Sequence, residues 1–183
     1  MPPASRWAAG SARLLEGVGQ PFDLAFTDAI KGSPVSVQGL KGKVVVIDFW
    51  ATWCGPCVAD ISKLKELYAR YHDQGVEFIG VSLDLPKERG GHDKLKAFVA
   101  QNEIAWPQYY QGNGWESEFS RSWGINSVPH FLLVDAHGKL AVTNARLDAL
   151  VAMPGARGEL EELILKYLAQ AKKLTTLERD TGP

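Results

Sequence analysis

The sequence predicts an α/β protein built on a central mixed β-sheet flanked by helices, and three observations indicate this class. Val44–Trp50 is an apolar, β-branched run typical of a buried strand, and an amphipathic stretch with helical spacing follows it. Residues 76–83 form a second apolar run, which we expect to lie parallel to the first through a right-handed crossover. Residues 131–134 and 140–143 flank the turn-forming residues 135–138, which predicts an antiparallel hairpin.

Two features are predicted ahead of the first core strand. Residues 1–19 are rich in Ala, Gly and Pro and have no continuous apolar segment, so we expect a flexible N-terminal extension without an export signal. From Pro21 onward apolar residues alternate with polar or small ones, and the turn-forming residues 31–34 lead into residues 35–37. This pattern predicts an added N-terminal β-hairpin.

Between the core strand and the antiparallel hairpin, helices alternate with strands. Residues 58–71 carry apolar side chains at helical spacing, and Gly75 is expected to stop that helix. Residues 85–91 have the composition of a surface loop, and a helix is predicted to begin near Asp93. Residues 106–110 then predict a short strand.

The last third of the chain predicts two more helices. Trp115, Phe119 and Trp123 fall on one face of the first, with Gly124 as its C-terminal cap and the tryptophans in the core. Residues 144–156 are expected to form a loop. We expect one folded domain over residues 20–171 and a frayed tail over residues 172–183. The closing helix has an apolar face made of Leu160, Leu163, Ile164, Tyr167 and Leu168.

Composition limits the classes of function. With 183 residues, of which 45% are hydrophobic, the chain can bury one sizeable core. Its formal net charge of -1 provides no basic surplus for nucleic acid or for an anionic membrane, so both are disfavoured as partners. Only two cysteines occur, three positions apart, and they make up all the thiol chemistry of the chain.

The two cysteines are placed for reversible disulfide chemistry. Cys54 and Cys57 follow the core strand and open the next helix, where residues i and i+3 share one face about 5 to 6 Å apart. That separation suits a disulfide. Cys54 is expected at the helix N-terminus, where free N–H groups and the helix dipole favour a thiolate, so we predict that it is the nucleophile and Cys57 the resolving thiol. Pro56 falls in the first helical turn, where its missing N–H is harmless.

Two other interpretations concern the polar residues. A Cys-x-x-Cys motif can be half of a zinc site, but there is no second pair of cysteines and the four histidines show no metal spacing, so we predict no metal. Asp48 lies inside an otherwise apolar strand, where an unpaired carboxylate is unfavourable. A role in proton transfer is therefore favoured, on the condition that Asp48 does not face solvent.

These motifs resemble a known family. The sequence Trp-Cys-Gly-Pro-Cys at residues 53–57, after a strand, and Val128 with Pro129 before a later strand resemble a thioredoxin-fold protein. The chain is most similar to the TlpA/ResA-like thiol-disulfide oxidoreductases, over residues 18–169 and including the N-terminal hairpin. His130 and Ser62 depart from the family pattern, which often has Thr and Pro at these positions.

The resemblance implies roles for individual residues. Pro129 matches the family's cis-proline, and the backbone of Val128 is then expected to pair with an extended substrate; an ordinary strand-edge proline is the alternative. Asp48 matches the buried aspartate of thioredoxins. Asp60 matches a helical glutamate of the ResA-like branch and is a candidate proton relay, although polar residues are common in first helical turns. Substrate contact is expected from Trp53, Gly55, Pro56, Val128 and Pro129.

The resemblance also implies a function and its setting. We expect a thiol-disulfide oxidoreductase that reduces disulfides of a protein substrate, receives electrons from an upstream thiol reductant, needs no cofactor and is a monomer. By resemblance the location is periplasmic or extracytoplasmic, with a leader or anchor outside this chain, and the cytoplasm is the alternative. A peroxiredoxin-like peroxidase is disfavoured because Thr52 lies two residues before Cys54, where that class has Thr at three. A non-enzymatic peptide-binding module remains the third interpretation.

Overall fold

The central sheet of the computed structural model, which describes residues 3–147 and 157–180, is organised around the strand before the cysteines. All seven residues of that strand are buried, as a strand covered on both faces requires. In chain order the elements are α1 (Pro3–Glu16), β1 (Ala25–Thr27), β2 (Pro34–Ser36), β3 (Val44–Trp50), α2 (Gly55–Tyr71), β4 (Val76–Ser82), α3 (Gly91–Gln101), β5 (Gln108–Tyr110), α4 (Glu118–Ser122), β6 (His130–Val134), β7 (Leu140–Ala145) and α5 (Glu159–Asp180).

The sheet is mixed, as the sequence predicted. Its strand order is β5-β4-β3-β6-β7, with β4 and β5 parallel to β3 and β6 antiparallel to it. Helix α2 connects β3 to β4, and the chain leaves the 3-10 turn after that helix through Gly75, whose φ of 102° requires glycine. The two predicted core strands and the hairpin of β6 with β7 are therefore confirmed.

The predicted N-terminal hairpin is present as a separate two-stranded sheet of β1 and β2. The chain around it reaches both edge strands of the central sheet. On one edge, Leu140 of β7 accepts from the N–H of Gly19 at 2.7 Å and donates to the carbonyl of Gln20 at 2.9 Å. On the other, Gln108 of β5 donates to Asp28 Oδ1 at 3.0 Å and its carbonyl accepts from the N–H of Ala29 at 2.9 Å.

Helix α1 was not predicted. Where we expected a flexible extension over residues 1–19, the structure has a helix from Pro3 to Glu16. Gly10 is buried and lies directly against Gly124, and Arg13 places its guanidinium 4.1 Å from the ring centroid of Trp123. This close approach and the cation–π contact join residues far apart in the sequence, so the composition of residues 1–19 did not reveal them.

Two further expectations differ at the C-terminal side. Trp115 lies in a 3-10 turn before α4 and is 37% exposed, so the prediction that it is a core residue is wrong, whereas Trp123 is buried as predicted. Helix α5 continues to Asp180, through most of the tail that we expected to be frayed. Of the loop expected over residues 144–156, the first two residues belong to β7 and residues 148–156 lie outside the described chain.

Helix α5 covers one face of the sheet with the apolar residues predicted for it. Leu160 and Ile164 are fully buried and Leu168 nearly so, while Leu163 and Tyr167 pack against the core at its margin. Within residues 3–147 and 157–180, the structure contains no helix with the length and apolarity needed to cross a membrane.

Candidate active site

The cysteine pair lies where β3 ends and α2 begins. Cys54 and Cys57 form a disulfide with their Cα atoms 5.3 Å apart, within the range that a disulfide allows. Cys54 is the N-cap of α2, and its Sγ accepts a hydrogen bond from the backbone N–H of Cys57 at 3.2 Å. Proline occupies the first turn, where a missing N–H leaves no bond unmade. The predicted placement of both thiols is confirmed, and the N–H that bonds Cys54 in the disulfide is positioned to stabilise a thiolate there.

Cys54 is flanked in sequence by exposed residues, whereas Cys57 lies on the buried face of α2. Trp53 is 47% exposed, and Gly55 and Pro56 are exposed on the other side of Cys54. Cys57 is 2% exposed and belongs to the buried face of α2. Cys54 itself is 5% exposed and lies between these exposed residues in the chain.

Asp48 is a buried carboxyl group in the middle of β3. It is 1% exposed, so the condition set for its role in proton transfer is met. Its Oδ1 is buried without a hydrogen-bond partner among the described residues. Burial, which disfavours the charged form, raises the pKa of Asp48 well above its ordinary value, and the nearby charge of Asp60 raises this pKa further. The two predicted proton carriers therefore interact electrostatically.

The loop containing Pro129 is brought to the same end of the sheet as the cysteines. The Val128–Pro129 peptide bond is cis. Strand β6 begins immediately afterwards, with His130 opposite Phe49, the penultimate residue of β3. Because β6 runs antiparallel to β3, the start of β6 lies beside the end of β3, and both Val128 and Pro129 are half-buried there. The fold thus unites the two motifs, which are more than 70 residues apart in sequence.

His130 stands where the family often has Thr, and it is tied to the neighbouring strand. Its Nε2 lies 2.8 Å from the carbonyl oxygen of Thr143, and its ring meets that of Phe49 edge-on. Burial lowers the pKa of His130, while the bond to Thr143 opposes this change. The neutral imidazole, which donates from Nε2, fits this environment.

Sequence reasoning missed a third group at this end of the sheet. Asp84 lies two residues after the end of β4 and is 1% exposed, and its carboxylate accepts hydrogen bonds from Thr52, two residues before Cys54. The carbonyl of Leu83 accepts from the indole N–H of Trp53 at 3.1 Å. The signal available in the sequence was a carboxylate directly after a buried strand parallel to β3, since the carboxyl ends of parallel strands meet at one edge.

Exposed aromatic surface lies next to Cys54. The ring centroids of Trp53 and Trp115 are 5.9 Å apart with their planes at 57°. Trp50, three residues earlier in the chain than Trp53, is buried, and its indole N–H donates to Gln108 Oε1 at 3.0 Å. No group of three or more His, Cys, Asp or Glu side chains within the described ranges is arranged to hold a metal ion.

Comparison with known proteins places these features in context. A family model described as Redoxin matches residues 17–148. The thiol-disulfide oxidoreductase ResA of Oceanobacillus iheyensis is 31% identical over 114 residues, which cover 62% of this chain and 55% of that protein. ResA of Bacillus thuringiensis is 31% identical over 111 residues, covering 61% and 60%. The chain therefore spans less than two thirds of the length of these curated relatives.

Solved structures give the same picture of the fold. The thioredoxin domain of a thiol-disulfide oxidoreductase from Bacteroides vulgatus superposes with a TM-score of 0.62 at 26% identity, covering 80% of this chain and 94% of that one. A thiol-disulfide oxidoreductase domain from Bacteroides thetaiotaomicron, at 23% identity, reaches a TM-score of 0.67 and covers 84% and 97%. The expected thioredoxin fold and the resemblance to ResA-like proteins are confirmed.

Proposed function

The chain belongs to the redoxin family, and starting from that membership we propose that it is a thiol-disulfide oxidoreductase that reduces disulfides of other proteins. The observation that carries the proposal is the Cys54–Cys57 pair at the N-terminus of α2, with the N–H of Cys57 bonded to Cys54 Sγ. This arrangement favours a thiolate at the first cysteine and allows ready closure of the disulfide.

The reaction proceeds in two exchange steps. The Cys54 thiolate attacks one sulfur of the partner's disulfide, so that a mixed disulfide forms and the other partner sulfur leaves as a thiolate. Cys57, after losing its proton, attacks Cys54 Sγ and releases the second partner thiolate. The pair has then given two electrons to the partner and is left as the Cys54–Cys57 disulfide, while the partner's two thiolates take up protons.

Asp48 accepts the proton that Cys57 must lose. A carboxylate whose conjugate acid has an ordinary pKa is a weak base toward a thiol. Because the pKa of Asp48 is raised, it lies closer to the pKa of a thiol, and proton transfer from Cys57 is less unfavourable. The unpartnered Oδ1 of Asp48 supports this role, because a buried acceptor without a donor can take a proton. Asp60 lies in α2, three residues after Cys57 and half-buried, and it relays the proton toward solvent.

The partner polypeptide binds around Cys54. Trp53, Gly55 and Pro56 are exposed beside the sulfur, and Val128 offers its backbone before the cis-proline Pro129. The placement of β6 beside the end of β3 supports this assignment, because an extended segment can then pair with the chain while its disulfide reaches Cys54.

The direction of electron flow and the setting follow from the resemblance. The Gly-Pro dipeptide between the cysteines is similar to that of reducing thioredoxins, so reduction is favoured over oxidation. An upstream thiol reductant regenerates the dithiol, and the protein acts as a monomer outside the cytoplasm. The matched ResA proteins are named thiol-disulfide oxidoreductases, which supports disulfide exchange as the reaction.

Reduction of insulin by a thiol reductant, followed as turbidity of the released B chain, tests the proposal. We expect the wild-type chain to accelerate the reaction and Cys54→Ser to abolish the acceleration. Cys57→Ser is the matched variant, because it keeps the nucleophile and should accumulate a mixed disulfide that gel electrophoresis detects. Wild-type turnover that survives in Cys54→Ser would refute the scheme, and undiminished peptide binding without any turnover would favour the binding-module interpretation.

The reduction potential decides the direction. Equilibration in graded thiol buffers can be followed by tryptophan fluorescence, since Trp50 and Trp53 flank the site. A value near that of thioredoxin, about -270 mV, fits a reductase, and one near about -120 mV, as in the oxidant DsbA, reverses the assignment.

A further inference from the structure

Asp84 is a buried carboxylate that the exchange steps do not use, and it lies where β4 ends. Its Oδ1 accepts from the hydroxyl of Thr52 at 2.5 Å and from the backbone N–H of Thr52 at 3.2 Å. Its Oδ2 accepts from the hydroxyl of Ser82 at 2.8 Å. Both carboxylate oxygens therefore receive donors, and two of those donors belong to the connection that carries Cys54.

The backbone around Asp84 holds the aromatic rings beside the site. The carbonyl of Leu83 accepts from the indole N–H of Trp53 at 3.1 Å. The carbonyl of Asp84 accepts from the N–H of Gly114 at 3.1 Å, at the start of the turn that presents Trp115. One short segment after β4 thus contacts the cysteine connection, the ring of Trp53 and the turn that carries Trp115.

We propose that Asp84 is a positioning residue for disulfide exchange, acting through its two bonds to Thr52 to hold the turn that places Cys54 at the N-terminus of α2. The inference rests on the proposed function, since it concerns the same nucleophile. The N–H of Cys57 reaches Cys54 Sγ at 3.2 Å only while the preceding turn keeps its orientation. Small displacements at a reacting atom reduce rates strongly, by up to about a hundredfold for 1 Å.

The hydroxyl of Thr52 can be removed with little change of shape. Thr52→Val keeps the branched side chain and the backbone N–H but loses the 2.5 Å bond to Asp84, whereas Thr52→Ser keeps the hydroxyl. Thr52→Ser is therefore the matched control. Asp84→Ala removes the acceptor itself, and in a double-mutant cycle Thr52→Val should add no further effect to it. Should Asp84→Ala fail to fold, the two Thr52 variants decide the question alone.

Two measurements on the full chain test the inference. In a Cys57→Ser background Cys54 is the only thiol, and the pH dependence of its alkylation by iodoacetamide gives the midpoint of thiolate formation. We expect Thr52→Val to move this midpoint to higher pH, because the thiolate is less well aligned with the backbone N–H of residue 57, which the Ser substitution keeps. Thr52→Ser should stay near the midpoint of the unmodified Thr52 chain. With both cysteines present, Thr52→Val should lower the rate of insulin reduction by about tenfold.

The outcomes separate the inference from the proposed function. A Thr52→Val chain that folds and keeps the wild-type alkylation midpoint overturns the positioning role, whatever its turnover. Absence of insulin reduction by the wild-type chain counts against the proposed function instead, and the alkylation midpoint still reports the position of Cys54 because it requires no turnover.

Discussion

Replacing Asp48 by Asn should stabilise the protein increasingly as the pH rises. Asp48 is 1% exposed and burial raises its pKa well above the ordinary value. The unfolded chain releases this proton near pH 3.9, whereas the folded chain retains it to higher pH. Above about pH 3.9 the unfolded state therefore binds fewer protons than the folded state, and the stability of the wild type falls with rising pH until the buried carboxyl group ionises as well.

The magnitude follows from the number of protons involved. One proton held by the folded state and absent from the unfolded state changes the free energy of unfolding by about 1.4 kcal/mol per pH unit. Asp48→Asn has nearly the same shape and no titrating proton, so the difference between variant and wild type should grow at up to this rate. Below the pKa of the unfolded chain, Asp48 is protonated in both the folded and the unfolded wild type. The pH-dependent part of the difference between variant and wild type then vanishes.

Urea unfolding of the oxidised chain at a series of pH values measures this difference, because the disulfide keeps both cysteines from titrating. Groups that do not interact with Asp48, such as His130, titrate equally in wild type and variant and cancel. Asp23→Asn is the matched control. Asp23 is exposed, so its replacement by Asn removes no buried carboxyl group. A difference between Asp48→Asn and wild type that stays constant from about pH 4 to pH 7 would refute the claim that burial raises this pKa.

Two further predictions concern close packing at glycines. Gly80→Ala should lower the free energy of unfolding, measured in urea, by about 1 to 3 kcal/mol. The added Cβ would overlap the side-chain amide of Gln108, which its own hydrogen bonds hold in place. Unchanged stability would contradict this packing. Gly10→Ala should release α1 from the rest of the domain, since its Cβ would meet the backbone of Gly124. Amide exchange in residues 3–16 should then be faster, while insulin reduction is retained. Unchanged exchange there would show that α1 does not depend on this contact.

Much of the sheet could be predicted because its signals are local. The composition of Val44–Trp50 alone predicts a buried strand. The Cys-x-x-Cys spacing places two thiols on one face of a helix, whatever residues surround them. The prediction for Trp115 was wrong because of a helix cap. Trp115 shares helical spacing with Phe119 and Trp123, but the side chain of Ser117 caps α4, so the helix begins after Trp115. Spacing alone did not reveal that interruption.

The parts that could not be predicted depend on contacts between distant residues. Asp84 is 32 residues from Thr52, and only the adjacency of β3 and β4 makes them partners. Helix α1 is held by a glycine against a glycine, and neither residue signals a helix on its own. Asp48 was recognisable because a single carboxylate interrupts an apolar strand, which is a local signal once more.

The hydrogen bonds that Gln20 and Asp28 make to the two edge strands affect how this protein behaves at high concentration. Unpaired groups along the outermost strands of a sheet are a template on which other chains add and aggregate. Here the chain ahead of β3 takes up those groups at Leu140 on one side and at Gln108 on the other. A short stretch of the protein's own sequence therefore caps both sides of the sheet at these positions, where a second copy would otherwise start a growing fibril.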